Sequence, residues 1–154
     1  MATLIRCLVR KKKNQGPNWY QAGAGTIYPS YLVMEDDSDE VTICATSARP
    51  IGIAGCPTYH DLNTAYTSGV MIPVWRRGCG VVIYVLHDDD TGAATIDRGT
   101  PLVTDDANAG CVMAWGYTNS SEATDSFENV IGTLDQEVTI SGDTATFVQC
   151  RMSI

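Results

Sequence analysis

The sequence predicts an all-β fold: a compact β-barrel or sandwich-like domain, with an internal duplication and little or no helix. Three observations predict it. No window of helix length carries apolar residues at i, i+3, i+4 and i+7, so amphipathic helices are not expected. Short runs rich in Val, Ile, Thr and Tyr recur instead, separated by clusters of Gly, Pro, Asp and Asn. The second half of the chain, finally, can be laid over the first.

Taken in order, strands are expected at residues 4–9, 31–34, 41–45, 70–75, 81–86, 102–104, 111–115, 137–140 and 144–151. Turn residues bound each run, as the alternation of strand and turn in a sandwich or barrel requires. The stretch 59–66 has room for one short helical turn.

The repeat is the most informative feature. Gly25-Thr26-Ile27-Tyr28-Pro29-Ser30-Tyr31-Leu32-Val33 lies over Ala94-Thr95-Ile96-Asp97-Arg98-Gly99-Thr100-Pro101-Leu102-Val103, with one extra residue in the second copy before Leu102. The register then runs on and sets Val41 and Ile43 over Cys111 and Met113. Pro50-Ile51-Gly52 matches Val130-Ile131-Gly132 after an insertion around 117–128, and Ser68-Gly69 and Ser141-Gly142 each precede a last apolar strand. At the front, residues 5–9 fall over 82–86. The expected organisation is an N-terminal strand or arm with a basic segment (residues 1–21), then a single β domain (22–154) made of two related halves, about 22–76 and 77–154. Neither half is long enough to bury its faces well alone, so the two should pack together. The Gly of each Ile-Gly step predicts a bulge or a close approach of backbones.

Composition narrows the class. With 154 residues, 44% hydrophobic and 18% charged, the chain is not disordered as a whole. The longest apolar run, 81–86, is far short of the roughly 20 residues of a membrane-spanning helix. The first residues lack the long apolar stretch of a signal peptide, so a soluble, unexported chain is expected.

The net charge of −8 is unevenly placed. Five of the ten basic residues, Arg6, Arg10, Lys11, Lys12 and Lys13, fall in the first thirteen positions. From residue 14 onward, five basic residues face eighteen acidic ones, a balance of −13. Such a body repels phosphate backbones, which argues against direct nucleic-acid binding. The basic stretch itself reads either as a solvated edge strand and turn or as a contact for an acidic partner surface.

No reactive constellation emerges. Cys7, Cys44, Cys56, Cys79, Cys111 and Cys150 include no C-x-x-C pair or zinc spacing. Several sit beside apolar residues in strand-like runs, so buried free thiols are expected rather than a disulfide framework. His60 and His87 lack the neighbours of a triad and read as structural. The acidic clusters at 35–40 and 88–90 do not match a calcium loop and read as hairpin tips. Gly23-Ala24-Gly25 lacks the third Gly and the helix of a phosphate loop. Trp19, Trp75 and Trp115 suit either a sugar platform or core and interface positions. No catalytic residue, cofactor or metal site is therefore expected.

The run Ala93-Ala94-Thr95-Ile96-Asp97-Arg98-Gly99-Thr100-Pro101-Leu102-Val103, followed by Val130-Ile131-Gly132, Ser141-Gly142-Asp143 and a closing strand, resembles the small capsid decoration (cement) proteins of tailed bacteriophages. The resemblance covers about residues 22–154 and is strongest from 93 onward. The first copy departs from it where Tyr28-Pro29-Ser30 stands in place of the expected Gly, as does the number of cysteines. It implies a β-tulip-like form of the barrel or sandwich and a virion structural protein without enzymatic activity. Such a protein assembles in the host cytoplasm, trimerises, and clamps the major capsid protein on the capsid exterior, with no membrane and no direct nucleic-acid contact. Under that reading Arg6, Arg10, Lys11, Lys12 and Lys13, with Trp19 and Tyr20 as anchors, are the candidate capsid interface. The alternatives are a carbohydrate-binding β-module of a viral tail or cell surface, and a small β-barrel hydrolase whose residues meet only in space.

Overall fold

The computed structural model describes residues 8–10, 16–36, 38–88, 94–115, 127–140 and 145–152. The first half supplies β1 (Leu8–Arg10), β2 (Asn18–Ala22), β3 (Leu32–Glu35), β4 (Glu40–Ile43), β5 (Gly52–Ala54) and β6 (Met71–Arg76). The second supplies β7 (Val82–His87), β8 (Ala94–Ile96), β9 (Pro101–Thr104), β10 (Val112–Ala114), β11 (Val130–Leu134), β12 (Val138–Ile140) and β13 (Thr146–Arg151). Among the described residues a 3-10 turn, Phe127–Asn129, precedes β11. The chain is all-β.

The strands close into two five-stranded barrels. The first runs β2-β4-β3-β5-β6 and the second β7-β10-β9-β11-β13, closed by the β13–β7 pairing. Closure leaves each barrel without a free sheet edge, the hazard that an open five-stranded sheet would carry. Both barrels contain one parallel pair, β2–β4 and β7–β10, and otherwise antiparallel ones. β1 adds to the second barrel, antiparallel to the start of β7. β8 and β12 form a separate ribbon, matched in the first half by the lone bridge Ile27↔Tyr66.

The duplication holds at the level of register. Tyr20↔Ile72 and Gln21↔Met71 across β2–β6 correspond to Val85↔Val148 and Leu86↔Phe147 across β7–β13. Ile53↔Trp75 and Ala54↔Val74 correspond to Thr133↔Arg151 and Leu134↔Cys150. The Ile-Gly steps superpose as the sequence predicts, and the reason is steric. A Cβ on Gly52 would strike the Trp75 carbonyl, and one on Gly132 the Arg151 carbonyl. Each glycine is the point where two barrel strands approach too closely for a side chain.

Three sequence expectations need correction. The counterpart of β7 is β2, not residues 5–9: β1 lies on β7 instead of occupying the equivalent place in the first barrel. The boundary at 21/22 therefore cuts through β2. The extra residue expected before Leu102 is absent, because Leu32 and Val33 correspond to Pro101 and Leu102, while Val41 corresponds to Val112. The two added residues of the second copy lie in the β9–β10 turn, and spreading them evenly slipped each strand by one position. In place of a helical turn, residues 59–66 form two turns and the bridge at Tyr66. The departure at Tyr28-Pro29-Ser30 costs no geometry: Ser30 takes a left-handed φ of 72° where Gly99 takes 91°.

Side chains of alternating residues fill each barrel. Ala22, Ile27, Val33, Val41, Ala54, Tyr66, Ile72 and Val74 form the first interior. Ile83, Val85, Ile96, Leu102, Val112, Leu134, Val148 and Cys150 fill the second. Leu32, Ile53 and Trp75 point out of the first barrel, yet they are buried and belong to the same cluster as the second interior. They join the barrels. Backbone bonds reinforce the joint, with Leu32 N–H donating to Gly110 O, Gly110 N–H to Cys44 O and Leu86 N–H to Ser30 O.

Candidate functional site

The residues proposed from sequence fall on two different sheets. Arg10 ends β1, on the second barrel, while Trp19 and Tyr20 lie on β2 in the first. Arg6, Lys11, Lys12 and Lys13 lie outside the described residues. Neighbouring strand residues face opposite ways. Tyr20 accordingly packs against the first barrel's interior, whereas Trp19 is 49% exposed on its outer face. Trp19 is the more exposed of the two, and Tyr20 is partly buried.

Trp19 is not isolated. It stands opposite Pro73, with Met71 two residues along β6, and Met71 is 53% exposed. Met71 in turn lines a cleft of about 270 Å³ with Tyr59, His60, Tyr66, Thr67 and Val70. Tyr59 is 77% and Val70 41% exposed, so four of the five large exposed hydrophobic side chains among the described residues flank this one side of the first barrel. His60 stacks on Tyr66 with ring centroids 4.1 Å apart and its Nε2 lies 2.7 Å from Thr64 O, which fixes the floor of the cleft. The fifth, Phe127, sits elsewhere, against Trp115. Together they form an exposed apolar patch on a closed barrel. Sequence reading missed Tyr59, Val70 and Met71 because nothing local tells the outer face of β6 from its inner face.

A second feature is electrostatic. Arg49, Arg76 and Arg77 line a cleft of about 490 Å³ with Met34, Glu35, Pro50 and Ile51. Arg77 donates to the carbonyl oxygens of Glu128 and Phe127, tying the 3-10 turn of the second half to the first barrel. Burial and then the charge of Arg49 pull the Arg77 pKa below its ordinary value. The adjacent Arg76-Arg77 pair is legible in sequence; its convergence with Arg49 is not.

The other reactive side chains serve packing. The five described cysteines are all free thiols. Burial pushes Cys44 and Cys111 up to about 12 and Cys150 higher still, so none is an activated nucleophile. His87 is wholly buried at the end of β7, where the first barrel has Ala22. Glu35, Asp36, Asp39 and Glu40 fall at the β3–β4 hairpin turn, as expected, while Asp37, Asp89 and Asp90 lie outside the described residues. Among the described residues no group of three His, Cys, Asp or Glu side chains is placed to hold a metal ion. No family model matches the sequence, and no curated protein resembles it at a significant level.

Proposed function

We propose that the chain is a capsid decoration (cement) protein: a structural virion component that binds the outer surface of the major capsid protein lattice as a homotrimer and stabilises the head. The observation that carries this reading is the apolar side of the first barrel, where Trp19, Met71, Val70 and Tyr59 stand exposed on a closed, rigid framework. Exposed aromatic and Met side chains of this kind anchor protein interfaces, and symmetric copies multiply weak contacts against a repeating lattice. The order of segments shared with decoration proteins supports the same reading, which places the chain on the capsid exterior and involves no catalysis.

The test is co-sedimentation and negative-stain imaging of empty capsids with added protein. Saturable decoration at regular lattice positions is expected, with increased resistance of the head to heating. Replacing Lys11, Lys12 and Lys13 by Glu should lower occupancy and its salt sensitivity. Full occupancy by that variant at every salt concentration removes the basic segment from the interface. Protein that ignores capsids but binds on a glycan array instead would transfer the reading to a carbohydrate-binding module, with Trp19 and Tyr59 as the sugar-stacking residues.

A further inference from the structure

We infer that the Arg49–Arg76–Arg77 cleft is a contact between copies of this chain, and that it receives the acidic β3–β4 turn of a second copy. The inference rests on the self-association in the reading above and not on the capsid.

The argument begins with charge. Copies that each carry −8 repel one another at long range, so association requires opposite charge gathered locally on each copy. This cleft gathers three of the five basic residues beyond position 13. Arg49 and Arg76 are both exposed, and among the described residues neither side chain is held in an ion pair or hydrogen bond. Arg77 is fixed by the carbonyls of Phe127 and Glu128, and it feels the charge of Arg49 beside it. The charges of Arg49 and Arg77 oppose each other, and Arg76 adds a third guanidinium to the same cleft, so further negative charge entering it is favoured. Met34, Pro50 and Ile51 add apolar wall, which excludes water from an entering pair and strengthens it.

The anion must be one that guanidinium forks recognise, and carboxylates match them two bonds at a time. The chain carries such carboxylates on the cleft's own rim. Glu35 lines it, and the turn continues through Asp36 to Asp39 and Glu40. Asp36 accepts hydrogen bonds from the Ser38 and Glu40 N–H groups, which hold its carboxyl below the usual range and keep it charged. Asp39 is exposed, with a left-handed φ of 61° at the tip. A positive cleft beside a negative turn makes each copy both donor and acceptor, so the turn of one seats in the cleft of the next.

The experiment is sedimentation equilibrium of the full chain at micromolar concentration, in low and high salt, for two charge-reversed variants. One is Arg49→Glu with Arg76→Glu; the other is Glu35→Lys with Asp39→Lys. Arg77 stays untouched because it holds the two halves together. Each variant alone should be monomeric with an unchanged melting temperature, and mixing the two should restore association. Wild-type protein that is monomeric overturns both this contact and the trimer. Association that persists in the arginine variant overturns the contact alone and leaves the capsid reading standing. A wild-type dimer that the same variant abolishes supports the contact and overturns the three-fold arrangement. A variant that unfolds does not decide on its own; the surviving variant mixed with wild type does, since it should then pair only through its intact half.

Discussion

The two barrels share strand order and register but not the fate of their outer faces. Leu32, Ile53 and Trp75 form a continuous cross-strand row on the first barrel, and all three are buried against the second. The same row on the second barrel reads Pro101, Thr133 and Arg151, half-buried, with Arg151 paired to Asp135. On the β2–β6 side the asymmetry reverses. Leu86 and Phe147 of the second barrel share a cleft with Tyr28, Pro29, Tyr31 and Leu62 from the first. Their counterparts, Gln21 and Met71, are exposed. One copy of the duplicated unit has thus become the dock and the other the docked. The face left over on the first barrel exposes Met71, and Trp19 beside it, where the second barrel half-buries Phe147 and Tyr84.

The largest effect should come from breaking the joint at one barrel only. Ile53→Asp places a carboxylate among Leu32, Trp75 and the second barrel's core, with no cation to pair it. A buried, unpaired charge costs about 4 kcal/mol or more, close to the whole stability of a domain this size. Thr133→Asp puts the same group at the equivalent half-exposed position and should cost under about 1 kcal/mol. Urea denaturation of both variants measures the comparison. Equal losses would mean that the outer rows are energetically alike despite their different burial.

A subtler contrast lies in the two hairpin turns. Asp36 and Asp105 are equivalent residues, and each accepts two backbone N–H groups, from Ser38 and Glu40 in one case and Ala107 and Asn108 in the other. In the exposed first turn those bonds lower the carboxyl pKa. In the second, Asp105 is 4% exposed, and burial outweighs the same kind of bonds to push it up to about 6. A carboxyl whose folded pKa lies above its unfolded value of about 3.8 binds its proton more tightly in the folded state. Its contribution to stability is therefore full below about pH 4 and is lost as pH rises through about 6, a fall of about 3 kcal/mol for two pKa units. Asp105→Asn keeps an acceptor for the turn and removes the ionisation. Its stability should hold level between pH 4 and 7 where that of the wild-type protein declines. Parallel pH profiles of the two proteins would show that Asp105 does not titrate in this window.

These contrasts also mark how far the sequence could be read. The all-β class, the duplication and both Ile-Gly steps were legible, because alternation and turn residues are local signals and Gly52 and Gly132 answer one steric demand. β2 was not. Asn18-Trp19-Tyr20-Gln21-Ala22 has a polar, half-exposed character, since its outer face meets no second barrel, and the more apolar 5–9 segment took its place in the alignment. The one-residue slips at β3 and β4 arose because two residues added in a turn look the same as one on either side, although each slip reverses which side chains face inward. Trp19 could be singled out as a candidate anchor from its type alone. Its neighbours Met71, Val70 and Tyr59, and the meeting of Arg49 with Arg76 and Arg77, exist only once the barrel closes.

The smallest effect on stability, and the sharpest on function, is expected at the uncovered face itself. Trp19→Ser with Met71→Ser removes two outward side chains that the free protein leaves about half exposed, so the melting temperature should fall by less than in Ile53→Asp, whose site is fully buried. If the face is where a partner covers the first barrel, as the first barrel covers the second, the same pair should abolish capsid decoration or association between copies. The control is Tyr84→Ser, at the position on β7 equivalent to Trp19, where Gln149 Nε2 donates to the tyrosine hydroxyl. That variant should lower the melting temperature more and leave partner binding intact. Binding lost equally in both variants would mean that the surface extends across both barrels. Binding lost in neither would return Trp19 and Met71 to the class of exposed hydrophobic residues that need no partner.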